Sequence, residues 1–293
     1  YVLASKEMEA ITQFIGKSGD KDNYAALRNK MEASIESSGW DGDWFRRAYD
    51  NDSQPIGSKD CDEGRIFIEP QGMCIMAGVG LENGMAEKSL ASVRKHLAGE
   101  HGISLLYPAY KRYYLNLGEI SSYPPGYKEN GSVFCHTNPW VMIAETCLNR
   151  GDDALDYYHR INPSVREEIS EIHRCEPYVY AQTISGNEAV KQGEAKNSWL
   201  TGTASWNYVA ITQHILGIRP TLEGLMIAPV IPEKWKGFKA TRTFRGVTYE
   251  INVQRKGSGN TARLEVDGRT LDGNLIPLPA EGARSVKVQV TLG

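Results

Sequence analysis

The chain has 293 residues, of which 41% are hydrophobic and 24% are charged, and its formal net charge is −3. These values are typical of a globular protein with one or two domains. No apolar run reaches the roughly 18–20 residues that a membrane helix requires. No basic stripe offers a surface for nucleic acid. The composition therefore argues against membrane and nucleic-acid partners.

The cysteines predict reduced thiols and a cytosolic protein, because their number is odd and no CxxC pair occurs. They are Cys61, Cys74, Cys135, Cys147 and Cys175. No cysteine–histidine quartet has the separations of a zinc site, so we expect no structural metal.

A helical pattern opens the chain, with apolar residues at helical spacing directly after Tyr1. They are Ala4, Met8, Ile11 and Ile15. No capping residue precedes them. A natural N-terminus rarely begins inside an amphipathic helix, so we expect the chain to be a piece of a longer polypeptide.

Further helical patterns continue to about residue 218. Two apolar stripes are formed by Tyr24, Leu27, Met31 and Ile35, and by Ala86, Leu90, Val93 and Leu97. Asn138 and Pro139 predict the next helix start, as N-cap and first helical residue. The last helix is predicted from about Ala204 to Leu216 and ends before Gly217.

Long loops rich in glycine, proline and aromatic residues separate these helices. They cover residues 39–82, 101–137 and 174–203. Loops longer than about 12–15 residues are uncommon unless they are functional. Residues 1–218 therefore predict a helical barrel or toroid whose loops build the binding face.

The hydrophobic period changes to two in the remaining chain. Alternating residues mark three strands, which contain Val247, Tyr249, Ile251 and Val253, then Ala262, Leu264 and Val266, then Val286, Val288 and Val290. Glycine-containing turns at 257–259 and 267–268 separate them. Residues 219–293 therefore predict a small antiparallel β domain.

The first chemical cluster lies in the loop 118–131, where prolines and glycines present Tyr123, Lys128 and Glu129. An aromatic ring with an ammonium group and a carboxylate suits a polyhydroxylated ring. His136 precedes the predicted helix start, where free backbone N–H groups favour an anion. The alternative is a solvated Lys–Glu pair beside a packed histidine.

Two further segments carry weaker signals. Residues 176–182, with the sequence EPYVYAQ, form either a binding segment or a strand with core tyrosines. Thr201, Gly202 and Thr203 precede a helix, where the glycine lets an anion approach the backbone closely. The alternative is that Thr203 is an N-cap only.

Asp41 and Asp43 lie between Trp40 and Trp44, and paired carboxylates are what glycoside cleavage uses. They are only two residues apart, which is too close for opposite sides of a glycosidic bond. We interpret this segment as a loop wall or acceptor-side contact and not as an acid/base pair.

Taken together, these segments resemble the inverting phosphorylases of glycoside hydrolase family 94 over essentially the whole chain. The strongest stretches are GEISSYPPGYKEN, FCHTNPW, HRCEPYVYAQ and GEAKNSWLTGTASWNY. The resemblance implies an α+β protein in which residues 1–218 are the C-terminal part of an (α/α)6 catalytic barrel. Residues 219–293 would then form a small antiparallel β-sandwich-like domain.

The resemblance also implies roles for individual residues. Glu129 and Gln182 match positions that hold the sugar in the donor subsite. Tyr123 and Lys128 match acceptor-side positions. The phosphate-binding positions are matched by His136, Thr201 and Gly202. The family's general acid is an aspartate in a Trp-Asn-Asp motif, which is absent here because Trp206-Asn207 is followed by Tyr208. That acid is expected upstream of Tyr1.

The implied reaction is single displacement, in which phosphate attacks the anomeric carbon while the upstream aspartic acid protonates the glycosidic oxygen. No cofactor or metal is implied, and inorganic phosphate is the co-substrate. The implied partners are a β-glucoside disaccharide, the N-terminal part of the same enzyme and a second copy in a homodimer.

Cellobiose is the predicted substrate, and the stretch GEAKNSW favours glucose-type members over diacetylchitobiose enzymes. Laminaribiose, cellobionic acid and cellodextrins remain open as substrates. A hydrolase on the same barrel is a second hypothesis, and it needs a second carboxylate as base. A non-catalytic carbohydrate-binding fragment is a third.

Overall fold

The computed structural model describes residues 1–280 and 282–293. It contains both helices and sheets, which confirms the mixed class predicted from the sequence. The chain forms two compact units. The first consists of residues 1–148 and 156–207, and the second of residues 149–155 and 208–293.

The α-helices are α1 (Val2–Phe14), α2 (Ser18–Ser34), α3 (Ile68–Met76), α4 (Met85–His96), α5 (Asn138–Cys147), α6 (Gly151–Ile161), α7 (Ser170–His173) and α8 (Thr203–Val209). π-Helical turns follow α2 at Ile35–Gly39 and α8 at Ala210–Ile215. The 3-10 turns are Gly118–Ser121, Cys135–Thr137, Pro163–Val165 and Glu167–Ile169. Every helix that the sequence predicted is present, whereas α3, α6 and α7 were not predicted.

The short strands of the first unit are β1 (Ala48–Tyr49), β2 (Pro55–Ile56), β3 (Ile66–Phe67), β4 (Ala98–Gly99), β5 (Gly102–Ile103), β6 (Leu106–Tyr107), β7 (Val133–Phe134), β8 (Ala181–Ile184) and β9 (Ala195–Ser198). The strands of the second unit are β10 (Ile218–Pro220), β11 (Gly224–Ile227), β12 (Gly237–Phe244), β13 (Val247–Arg255), β14 (Ala262–Val266), β15 (Arg269–Leu271), β16 (Leu275–Pro277) and β17 (Ser285–Leu292).

Helix α3 lies within residues 39–82, which the sequence analysis assigned to a loop, so that assignment was wrong. Pro70 and Gly72 weaken the local helix signal, although a proline is tolerated in the first helical turn. Gly72 lies against α5, and a Cβ there would be 2.7 Å from the Cβ of Trp140. Close packing of α3 on α5 therefore stabilises a helix that local propensity does not indicate.

The start of α5 also differs from the prediction. Asn138 does not cap the helix, because Thr137 is the N-cap and makes no side-chain cap bond. The buried Asn138 amide instead accepts a hydrogen bond from the Ile103 N–H (2.8 Å) and donates to the Ile103 carbonyl (3.0 Å). It thus satisfies the backbone of a residue that lies far away in the sequence.

The second unit contains two sheets. One has the strand order β10-β11-β16, and the other has the order β12-β13-β17-β14-β15. Side chains from both sheets share one apolar core, for example Leu225 and Ile227 from the first and Tyr249 and Val288 from the second.

The larger sheet is mixed, so the predicted all-antiparallel arrangement was wrong for one strand pair. Strand β17 lies parallel to β13 and antiparallel to β14. Parallel neighbours need a long connection. The chain between β13 and β17 supplies it and contains β14, β15 and β16. The alternation of side chains along each strand is the same for both pairings, so the sequence pattern could not distinguish them.

No helix formed by residues 1–280 and 282–293 is both long and apolar enough to cross a membrane. The five cysteines are free thiols.

Candidate functional site

A three-stranded antiparallel sheet of the first unit brings the predicted site segments together. Phe134 of β7 pairs with Thr183 of β8, and Thr183 pairs in turn with Lys196 of β9. His136 follows β7 by two residues, Gln182 lies in β8, and Thr201 follows β9 by three residues. Segments separated by dozens of residues in the sequence therefore converge at one sheet.

The loop that carries Tyr123 and Lys128 is held by a buried asparagine that the sequence analysis did not single out. Asn130 accepts a hydrogen bond from the Tyr110 N–H (2.8 Å). Its amide nitrogen donates to the Tyr110 carbonyl (2.8 Å) and to the Tyr123 carbonyl (2.7 Å). This side chain is fully buried. Its place in the stretch YKENG was the available signal, but only the structure shows what it binds.

Gly126 fixes the same loop against the segment 186–189. Its φ is +80°, and a Cβ at this position would lie 2.2 Å from the Ala189 nitrogen. Its carbonyl accepts a hydrogen bond from the Gly186 N–H at 2.9 Å. Only glycine allows this approach, which holds Lys128 near β8.

Gln182 accepts two hydrogen bonds. The Lys128 ammonium donates to its Oε1 at 3.1 Å, and the Asn197 amide donates to the same oxygen at 2.9 Å. The structure therefore places two predicted site residues, Lys128 and Gln182, in direct contact. It also adds Asn197, which the sequence analysis missed.

A cavity of about 240 Å³ opens beside this cluster. Its wall consists of polar and charged side chains: Tyr127, Lys128, Ser132, Thr183, Ser185, Lys196 and Asn197. Lys196 is neutralised in part by Glu194, which lies 2.9 Å away. These side chains bring both carbon stems and polar ends to the cavity, which suits a ligand that has apolar faces as well as polar groups, such as a sugar ring.

Glu129 is half-buried, and its Oε2 is buried without a hydrogen-bond partner. An unsatisfied buried carboxylate oxygen costs free energy that a hydroxyl donor from a ligand would recover. Tyr123 lies at the other end of the loop, and its hydroxyl donates to Glu119 at 2.7 Å. This bond raises the pKa of Tyr123 to about 12, so the hydroxyl stays protonated.

His136 lies half-buried among aromatic rings. Its ring centre is 5.0 Å from that of Phe134 and 5.4 Å from that of Trp140, edge to face in both cases. Burial lowers the pKa of His136 below its usual value, so the imidazole is neutral near pH 7. A charge-assisted hydrogen bond from His136 to an anion would require that the bound anion raise this pKa.

Aromatic contacts connect His136 to the residues before α8. Trp140 touches Trp206 at 5.7 Å between ring centres, and the Trp206 backbone N–H donates to the Gly202 carbonyl at 3.2 Å. In the described parts of the chain, no hydrogen bond joins His136 directly to Thr201 or Glu129.

The segment Thr201–Thr203 is organised by its own hydroxyls. Thr201 Oγ1 accepts from the Thr203 N–H at 3.1 Å and lies 2.5 Å from Thr203 Oγ1. Gly202 is exposed, and no heavy atom lies within 4 Å of the position its Cβ would take. The backbone at Gly202 is therefore open to solvent directly before α8.

The segment of Asp41 and Asp43 is not an acid/base pair. Asp41 is buried and binds the Arg46 guanidinium (2.5 Å), the Ser58 hydroxyl (3.1 Å) and the Lys59 N–H (2.6 Å). A carboxylate with every oxygen occupied has a structural function.

Within residues 1–280 and 282–293, no group of three or more histidine, cysteine, aspartate or glutamate side chains could hold a metal ion.

The chain belongs to the glycosyl hydrolase 94 superfamily, whose catalytic-domain model matches residues 1–217. This confirms the family resemblance derived from the sequence stretches around Lys128, His136, Gln182 and Thr201.

Relatives named as disaccharide phosphorylases match nearly the whole chain. It is 34% identical to an N,N'-diacetylchitobiose phosphorylase of Vibrio proteolyticus, over 99% of this chain and 36% of the relative. It is 30% identical to a solabiose phosphorylase of Paenibacillus borealis, over 96% of this chain and 37% of the relative. The chain thus spans about a third of the length of these curated relatives.

A solved structure of a sialidase superposes with a TM-score of 0.55 at 15% identity. The superposition covers 81% of this chain and 21% of the sialidase chain. At this identity the likeness concerns the fold alone.

Proposed function

We propose that the enzyme containing this chain cleaves a β-linked disaccharide with inorganic phosphate and inverts the anomeric centre. The observation that carries the proposal is the convergence of Lys128, Gln182, His136 and the Thr201–Gly202 segment at the sheet of β7, β8 and β9. Family membership and the phosphorylase names of the relatives support it.

The donor-side sugar lies against Glu129 and Gln182, and the acceptor-side sugar lies against Tyr123 and Lys128. The unpaired Oε2 of Glu129 supports this assignment, because a sugar hydroxyl is the donor it lacks. Since Lys128 contacts Gln182 directly, the two subsites share one hydrogen-bond network.

Phosphate binds between His136, Thr201 and Gly202. The free space beside Gly202 and the aromatic connection to His136 support this placement. An aspartic acid upstream of this chain protonates the glycosidic oxygen, and phosphate attacks the anomeric carbon from the opposite face. Because phosphate is already anionic, no base is needed, and the chain contributes mainly by positioning it. No metal or organic cofactor takes part.

In this proposal residues 1–218 form part of an (α/α)6 barrel, and residues 219–293 form a β-sandwich-like domain. The end of the family match at residue 217 supports the boundary, and the common core of the two sheets supports the second assignment.

Cellobiose is the first substrate to test, because the sequence favours glucose-type members. The relatives named for N,N'-diacetylchitobiose and solabiose make these two sugars necessary comparisons. Laminaribiose, cellobionic acid and cellodextrins complete the panel.

The test incubates the intact enzyme with each disaccharide, with and without inorganic phosphate. We expect an α-sugar 1-phosphate and a free sugar only when phosphate is present, with cellobiose giving the highest kcat/KM. Equal sugar release without phosphate indicates a hydrolase, and no turnover of any disaccharide indicates a binding protein. Either result contradicts the proposal.

A further inference from the structure

We infer that Asn197 is a positioning residue that, together with Lys128, orients the Gln182 amide so that its NH₂ group faces the donor-side sugar. This inference rests on the proposed function, because it assigns a role to the side chain that the proposal places against that sugar.

Lys128 determines which atoms of the cluster donate and which accept hydrogen bonds. An ammonium group can only donate, so the Gln182 atom 3.1 Å from Lys128 Nζ must be the amide oxygen. The Asn197 atom 2.9 Å from the same oxygen must then be its NH₂ group. The oxygen and nitrogen of a side-chain amide are hard to tell apart by position alone. The Lys128 ammonium, which can only donate, fixes which is which for Gln182 and then for Asn197.

These hydrogen-bond directions leave the Nε2 atom of Gln182 without a partner in the cluster. Oε1 receives two hydrogen bonds, whereas Nε2 donates to no group within the described residues. Gln182 is half-buried in β8, so part of its side chain remains open to a ligand. Two N–H donors are therefore available for the oxygen atoms of a ligand.

The backbone around Asn197 supports a specialised role. Asn197 has a φ of +53° and Trp199 a φ of +72°, both in the left-handed region. Asparagine tolerates this region better than most residues, whereas a tryptophan there is strained. Such strain persists where the surrounding structure imposes it, often at ligand sites. These two residues turn the chain from β9 toward the Thr201–Gly202 segment.

The test uses Asn197→Asp in the intact enzyme. An aspartate carboxylate cannot donate to Gln182 Oε1 and repels this oxygen, which disturbs the orientation of the amide and moves its NH₂ group away from the sugar. The reverse of the proposed reaction joins a sugar 1-phosphate to an acceptor sugar. In this reverse reaction we expect kcat/KM for the sugar 1-phosphate to fall about tenfold, which is the effect of about one lost hydrogen bond. The KM for the acceptor sugar should stay within twofold of wild type.

Two control variants separate the effect on the orientation of the Gln182 amide from effects on the backbone conformation. Asn197→Gly removes the amide but suits a positive φ, and since Lys128 still binds Oε1 the loss should be smaller than for Asn197→Asp. Asn149→Asp makes the same exchange at another exposed asparagine with a φ of +61°, and it should leave both kinetic constants unchanged.

A loss below fivefold in Asn197→Asp, or equal losses for sugar 1-phosphate and acceptor, would overturn the inference. A loss of fivefold or more that is confined to the sugar 1-phosphate supports it. If the wild-type enzyme needs no phosphate and makes no sugar 1-phosphate, the proposed function fails instead, so the two failures are distinguishable.

Discussion

Two properties of His136 oppose each other: its burial among aromatic rings and its proposed role in binding an anion. Its ring packs edge to face with Phe134 and Trp140, and this burial lowers its pKa. A neutral imidazole is easier to bury than a charged one, but it binds an anion less strongly. Phosphate, arriving as an anion, would raise the pKa and draw a proton onto the ring. In the proposed site, phosphate binding and proton uptake are therefore coupled.

The change His136→Ala in the intact enzyme tests this role. A lost charge-assisted hydrogen bond is worth about 1.5–3 kcal/mol, which corresponds to about a 10- to 150-fold higher KM for phosphate. We expect the KM for the disaccharide to stay within twofold. Initial rates measured against each substrate in turn give both constants.

The pH dependence supplies the control. As pH rises through the pKa of the phosphate-bound imidazole, wild-type phosphate affinity should fall more steeply than that of His136→Asn, which cannot take up a proton. Parallel pH profiles, or equal KM increases for both substrates, would contradict a phosphate-binding role.

At the scale of elements, the loop 118–131 illustrates how a site segment whose only regular structure is a short 3-10 turn at its start is held. Asn130 satisfies two backbone carbonyls, and Gly126 lies directly against residues 186–189. Neither contact belongs to the regular hydrogen bonding of a helix or a sheet. The position of Lys128 thus depends on close backbone contact between two loops.

The exchange Gly126→Ala should disrupt this contact. Its positive φ costs about 1 kcal/mol, and the overlap with the Ala189 backbone requires a further shift, so we expect a loss of about 3 kcal/mol in unfolding free energy. Urea unfolding of the intact enzyme measures it. Gly118→Ala is the matched control, because Gly118 has a φ of +67° in the same loop but open space at its Cβ position. If both variants lose the same unfolding free energy, the positive φ alone explains the loss and the contact with Ala189 does not contribute.

Helix α1 shows the limit of periodicity as a guide to burial. The predicted helix is confirmed, but Ile11 and Ile15 of its apolar stripe are exposed, and Ser5 and Thr12 are buried instead. The Thr12 hydroxyl donates to the carbonyl of Met8, which satisfies it inside the helix. Spacing predicts that a helix forms, whereas the neighbouring elements determine which face is covered.

At the scale of the whole molecule, burial lowers the pKa of histidines in both units. These are His96, His101, His136, His173 and His214. Nearby cations add to the effect, such as Arg166 beside His101 and His173. Because the folded pKa lies below the unfolded value near 6.5, the unfolded chain binds protons more readily. This contribution to stability is complete above about pH 6.5 and is lost as pH falls.

His214 allows a quantitative test, since burial, with Arg219 nearby, lowers its pKa to about 4. Between pH 6.5 and pH 5 the protonation of this histidine in the unfolded chain should remove about 1.6 kcal/mol of unfolding free energy. In His214→Gln that part of the acid sensitivity should disappear, as measured by urea unfolding of the intact enzyme at each pH. Between pH 7 and pH 8 the difference between the two proteins should stay constant. An unchanged acid slope in the variant would contradict the assignment.

The order of strands in the second unit was decided at this scale too. Alternation located β13, β14 and β17 correctly because each strand buries one face. It carried no information on the insertion of β17 between β13 and β14, since pairing depends on residues about 40 positions apart in the chain.

Local rules in the sequence were sufficient for the helices at 86–97 and 204–216, for the three alternating strands, and for the family, because each depends on neighbouring residues or on an uninterrupted motif. Tertiary structure alone decided that Gln182 lies between Lys128 and Asn197, that Asn130 holds the Tyr123 loop, and that Gly72 brings α3 against α5. These contacts join residues distant in sequence. Their free energy comes from burial and hydrogen bonds that exist only after the chain has folded, and for that reason no local pattern encodes them.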